Sequence, residues 1–119
     1  MQYISTRNTT KNFSFKDVFL NGLASDGGLY VPKQIPSYSI QDLEKLKNIS
    51  YEELAVKIIL DFCADEFSDS EIKNLIQKSY ENFRVQDVVT INKTGGMNLL
   101  ELFHGPTLAF KDIAMQVIG

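Results

Sequence analysis

Acidic, basic, hydroxyl and imidazole side chains meet in one stretch near the end of the chain, Glu101-Leu-Phe-His-Gly-Pro-Thr-Leu-Ala-Phe-Lys-Asp112. Lys111 is its chemical centre. A lysine lodged among Leu108, Ala109 and Phe110 would be desolvated, and desolvation disfavours the ammonium form. A neutral ε-amine is a nucleophile that condenses with an aldehyde. The plainer alternative is a solvated lysine on an amphipathic helix. His104 is the single histidine of the chain. No Cys or acid cluster stands at ligand spacing beside it, so a metal centre has no basis. At the other end, Ser5-Thr6-Arg7 sets a guanidinium beside two hydroxyls, a combination suited to phosphate. The alternative there is a solvated loop after an edge strand. Cys63 falls on an apolar helical face, as a buried inert thiol would.

The elements that must position these groups follow from pattern. Leu99 to Phe103 reads as a buried strand, broken by Gly105-Pro106. Thr107 then opens a helix with an apolar stripe of Leu108, Ala109, Ile113, Ala114, Val117 and Ile118, and its hydroxyl is the expected cap. This places Lys111 in the first turns of that helix, where free N–H groups make the surroundings mildly positive. Asp112 lies about 100° around the helix from Lys111 and is assigned a structural part.

Upstream, Met1 to Thr6 reads as a short strand. Ser14 with Asp17 caps a helix carrying Phe15, Val18, Phe19 and Leu23. Asp26-Gly27-Gly28 is a turn before a strand at Leu29 to Val31. Three further helices each open with a serine and an acid three residues on: Ser39 with Asp42, Ser50 with Glu53, Ser68 with Glu71. Val88 to Ile91 reads as a strand. Asn92 to Gly96 is a turn, and Met97 to Phe103 is the return arm of a hairpin. The class is α/β, with short strands and about five helices over residues 1–119 taken as a single domain.

Composition excludes several functions. The chain has 119 residues, 44% hydrophobic and 23% charged, with net charge −3. Basic residues are interleaved with acids, which argues against nucleic acid and anionic membranes as partners. No apolar run is long enough to span a bilayer. No amino-terminal stretch has a signal-peptide core. One cysteine allows no internal disulfide and suits a reducing cytosol. A cytoplasmic location is therefore expected.

The stretch Glu101 to Asp112 resembles the lysine motif of the threonine synthase family, pyridoxal-phosphate enzymes of the tryptophan-synthase-β type (fold type II). Tyr3-Ile-Ser-Thr-Arg7 resembles the start of that family's chains, and Gly22-Leu-Ala-Ser-Asp-Gly-Gly-Leu-Tyr-Val-Pro32 resembles its next signature. The resemblance implies that Lys111 carries pyridoxal 5'-phosphate as a Schiff base. It places His104 beside the cofactor, a structural role at the strand end being the alternative, and makes Ser5, Thr6 and Arg7 candidate substrate contacts. The implied reaction converts O-phosphohomoserine and water to threonine and phosphate, the last step of threonine biosynthesis. A related phospho-amino-acid lyase of the same family would share the motif. No glycine-rich phosphate loop opens a helix in these residues. On this resemblance the chain is expected to be the amino-terminal part of a longer enzyme. Alone it would be a non-catalytic folded module, self-associating through apolar faces.

Overall fold

The computed structural model describes all 119 residues. Its element order is β1 (Tyr3–Ser5), α1 (Phe15–Asn21), β2 (Tyr30–Pro32), α2 (Ile40–Leu46), α3 (Tyr51–Cys63), α4 (Asp69–Tyr80), β3 (Thr90–Thr94), β4 (Met97–Glu101) and α5 (Asp112–Ile118). This is an α/β fold with five helices and two separate antiparallel strand pairs, β1–β2 and β3–β4.

Four helices start where a serine can close the first turn. Ser14, Ser39, Ser50 and Ser68 each accept from the backbone N–H three residues on. The acid at that position, Asp17, Asp42, Glu53 or Glu71, accepts in return from the serine's own N–H. Helix α1 ends at Gly22 in a left-handed conformation, φ 68°, so Leu23 lies outside it.

The core is an α-hairpin. Helices α3 and α4 pack Val56, Cys63, Ile72, Ile76 and Tyr80 together with Val88. Ile76 is fully buried, and Cys63 is nearly so. Burial pushes the Cys63 thiol pKa up, in keeping with an inert buried thiol. The Tyr3 hydroxyl donates to the Phe62 carbonyl at 2.8 Å and ties β1 to α3. The Tyr80 hydroxyl donates to the Ile113 carbonyl at 2.9 Å and ties α4 to α5.

Several expectations are corrected. The hairpin turn is shorter than Asn92 to Gly96. It consists of Gly95 and Gly96, with φ 57° and 80°, the left-handed pair a two-residue turn requires. Strand β3 therefore runs to Thr94, in register with Met97, and Thr90 pairs with Glu101. Val88 is not in the strand. It sits at φ 61° with its side chain buried in the core, because the chain must bend sharply there to enter β3 from α4. Strand β2 is displaced by one residue from Leu29–Val31. Leu99 to Phe103 is not a buried strand in this chain, since Leu99, Leu100 and Phe103 are exposed. No third strand pairs with the β3–β4 ribbon.

The largest correction concerns the last helix. Leu108 has φ 63°, which no right-handed helix admits. Helix α5 therefore starts at Asp112 and not at Thr107, and residues 105–111 form a set of turns.

Candidate functional site

The turn segment between β4 and α5 carries His104 and Lys111, and it is fixed at several points. The Thr107 N–H and Oγ1 donate to Asp112 Oδ2 and Oδ1, both at 2.8 Å. Thr107 is therefore not an N-cap. Asp112 instead reaches back and closes the turn on itself, filling the structural part assigned to it. Burial raises the Asp112 carboxyl pKa, but hydrogen bonds from Thr107, Ala109 and Gln116 outweigh it and leave the group below its usual range. Gly105 is buried against this carboxylate. A Cβ there would fall within 2.7 Å of Asp112 Cγ, so any side chain would displace the turn. The His104 carbonyl accepts from the Arg84 N–H at 2.9 Å. Val117 of α5 packs against the core.

Lys111 is the N-cap residue of α5, at φ −62° and ψ −24°, and its carbonyl accepts from the Ala114 and Met115 N–H groups. Its side chain is exposed, and Leu108 and Phe110 beside it are exposed as well. The expected desolvation of Lys111 is thus absent in this chain. The reason is geometric: the left-handed Leu108 keeps residues 107–110 out of a helical turn that would pack them beside the lysine. Lys111 Nζ makes no hydrogen bond, ion pair or aromatic contact, although its backbone is held at both ends. An amine without a partner on a fixed turn fits the attachment of an aldehyde coenzyme. A lysine tied into a salt bridge would not.

His104 is mostly buried. Its Nε2 lies 2.9 Å from Glu101 Oε2 and 3.0 Å from Thr90 Oγ1. Thr90 Oγ1 donates to the same carboxylate oxygen at 2.7 Å, and Asn92 Nδ2 donates to Glu101 Oε1. Donations from Thr90 and Asn92 hold the Glu101 carboxyl below the usual carboxylate range, against a smaller opposing effect of burial. Sequence reasoning missed Glu101, Thr90 and Asn92. The signal was the Gly95-Gly96 pair, which as a two-residue turn dictates that Thr90 faces Glu101.

Ser5, Thr6 and Arg7 are knit to the Asp26-Gly27-Gly28 turn. The Ser5 hydroxyl is fully buried, donates to Asp26 Oδ1 at 2.8 Å and accepts from the Arg7 N–H at 3.1 Å. Thr6 Oγ1 accepts from the Leu29 N–H at 3.0 Å, and Arg7 Nη1 donates to the Asp26 carbonyl at 3.2 Å. Asp26 is held below the usual carboxylate range by the Gly28 N–H and the Ser5 hydroxyl. Ser5 is thereby committed to the turn, while Arg7 keeps most of its guanidinium donors free of partners within the chain. No hydrogen bond joins this group to residues 101–119. The structure brings His104 and Lys111 onto one turn segment and leaves Ser5, Thr6 and Arg7 on the other strand pair. No group of His, Cys, Asp and Glu side chains could hold a metal ion, and no helix is long and apolar enough to cross a membrane.

Residues 2–80 match the family model described as threonine synthase N terminus. A threonine synthase of Pseudomonas aeruginosa is 42% identical over 120 residues, which cover 100% of this chain and 26% of that protein. Among solved structures, a threonine synthase from Brucella melitensis with bound PLP superposes with a TM-score of 0.93 at 38% identity, over 99% of this chain and 26% of the other. The yeast enzyme superposes with a TM-score of 0.90 at 42% identity, over 98% of this chain and 25% of the other. The chain spans about a quarter of the length of the relatives it matches.

Proposed function

This chain belongs to the threonine synthase family, and on that premise we propose that it supplies the coenzyme lysine of a pyridoxal-phosphate lyase, a threonine synthase acting on O-phosphohomoserine and water. The observation that carries the reading is the free Lys111 Nζ on a turn whose backbone is fixed by Gly105, Thr107 and Asp112. The likeness to a PLP-bound threonine synthase supports it.

Pyridoxal phosphate, when bound, would supply an electron sink for negative charge developing on the substrate carbons. The candidate site residues divide the work toward that chemistry. Lys111 Nζ would hold the coenzyme by its aldehyde and, when free of it, is the amine placed to carry protons. Asp112 and Gly105 keep the turn closed so that Nζ departs from a set point. His104 stands on the same turn segment, toward coenzyme or substrate. Arg7, with the Thr6 hydroxyl, faces the phosphate of the substrate, and Ser5 holds Arg7 in place through the Arg7 N–H. A cytoplasmic location goes with this reading.

The test is a chimera in which residues 1–119 replace the matching quarter of the Pseudomonas aeruginosa relative. The expected outcome is growth without threonine of a strain lacking threonine synthase, and loss of that growth on Lys111→Ala. Growth retained by Lys111→Ala would overturn the reading. Product analysis with O-phosphohomoserine separates threonine from the oxo acid that a phospholyase would release.

A further inference from the structure

Resting on the reading of Lys111 as the coenzyme lysine, we infer that Glu101, its carboxylate oriented by Thr90, is the positioning residue that locks His104 in its Nε2–H tautomer, leaving Nδ1 as the ring's proton-exchanging atom on the Lys111 turn segment. The protons available to the triangle decide the tautomer. Glu101 Oε2, Thr90 Oγ1 and His104 Nε2 lie mutually within 2.7 to 3.0 Å. An ionised carboxylate brings no proton to this triangle. Thr90 brings one and His104 brings at most one.

If Thr90 donated to a bare Nε2, Glu101 Oε2 would face two lone pairs at hydrogen-bond distance, one on Oγ1 and one on Nε2. That arrangement is repulsive. If Thr90 donates to Glu101 and Nε2–H donates to the carboxylate and to Oγ1, every contact is attractive. The carboxylate is further fixed by Asn92 on its other oxygen, and the Thr90–Glu101 cross-strand register sets the spacing. The His104 backbone is held by the Arg84 N–H, and its ring lies beside that of Phe103, with centroids 4.7 Å apart.

Nδ1 makes no hydrogen bond within the chain and is not sealed from solvent. In the neutral ring it offers a lone pair and no N–H. It therefore suits a donor such as water or an ammonium and not a phosphate oxygen. When such a donor gives up a proton, the O–H or N–H bond breaks, an N–H bond forms at Nδ1, and the electron pair stays on the donor atom. The imidazolium that results faces the Glu101 carboxylate. Reversal returns the proton. A reaction that consumes water and moves protons at adjacent carbons has use for such a group besides the lysine amine.

The sole histidine makes the test unambiguous. Long-range proton–nitrogen NMR of the 15N-labelled chain, with the ring neutral, is expected to show one tautomer with Nε2 protonated and Nδ1 bare. Thr90→Val is expected to keep it, because Glu101 still accepts. Glu101→Leu is expected to release the ring to a mixture of tautomers. A wild-type ring protonated at Nδ1, or already mixed, overturns the inference without reference to any variant. In the chimera, Glu101→Leu is expected to lower kcat by about 10-fold or more while KM moves little. An active chimera in which Glu101→Leu leaves kcat unchanged overturns the inference and leaves the proposed function standing. An inactive wild-type chimera overturns the proposed function, and the tautomer measurement still decides the inference.

Discussion

At the residue scale, the site depends on a carboxylate that closes a turn and on a glycine that lets it. Gly105→Ala would push a methyl group into Asp112. The expected outcome in the chimera is loss of nearly all turnover, with α3 and α4 still formed by circular dichroism. Turnover at the wild-type level would show that the Asp112 contact does not set the lysine. Lys111 stands out in the sequence because Gly-Pro, Thr, Phe, Lys and Asp stand together in one motif. Its exposure was not legible. Apolar neighbours at helical spacing suggested a stripe, but Leu108 takes a left-handed conformation and the stripe never forms. Nothing in the side chain of leucine announces that choice. It is imposed by the turn that Asp112 closes.

At the element scale, the four serine caps were the most legible feature. A hydroxyl followed three residues later by an acid is a local signal, and the local geometry satisfies it without help from the rest of the fold. Ser50→Ala, at the start of the core helix α3, is expected to lower stability by about 1 kcal/mol in urea unfolding. Ile76→Ala, which empties the centre of the α3–α4 interface, is expected to lower it by about 2–5 kcal/mol. A smaller loss at Ile76 than at Ser50 would place the core elsewhere. The hairpin was half legible. Its strands were found, but a five-residue turn was expected where two glycines suffice, so the partners of Glu101 stayed hidden. Register is a relation between two segments, and an error in turn length moves every pair.

At the scale of the whole molecule, seven carboxyls share one property. Asp17, Asp26, Asp42, Glu53, Glu71, Glu101 and Asp112 all titrate below their ordinary values of 3.8 for Asp and 4.5 for Glu. A carboxyl with a depressed folded-state value stabilises the fold fully above its unfolded value and loses that contribution as pH falls toward the folded one. The thermal midpoint is therefore expected to be level down to about pH 5 and to fall steadily below about pH 4.5. A midpoint unchanged at pH 3 would contradict the hydrogen bonds that depress these groups. The same scale explains what sequence pattern could not supply. Leu99, Leu100, Phe103, Phe110 and Met115 are apolar and exposed. Periodicity says that such residues want burial, and it does not say against what. Sedimentation at rising concentration is expected to show an increase in mean mass, and a constant monomer mass would remove the expectation of self-association.

The most direct measurement is to load the chimera with pyridoxal phosphate, reduce it with borohydride and map the labelled peptide by mass. The expected result is one pyridoxyl group, on Lys111. A label on any other lysine, or on none while the chimera remains active, would contradict the assignment on which the function rests.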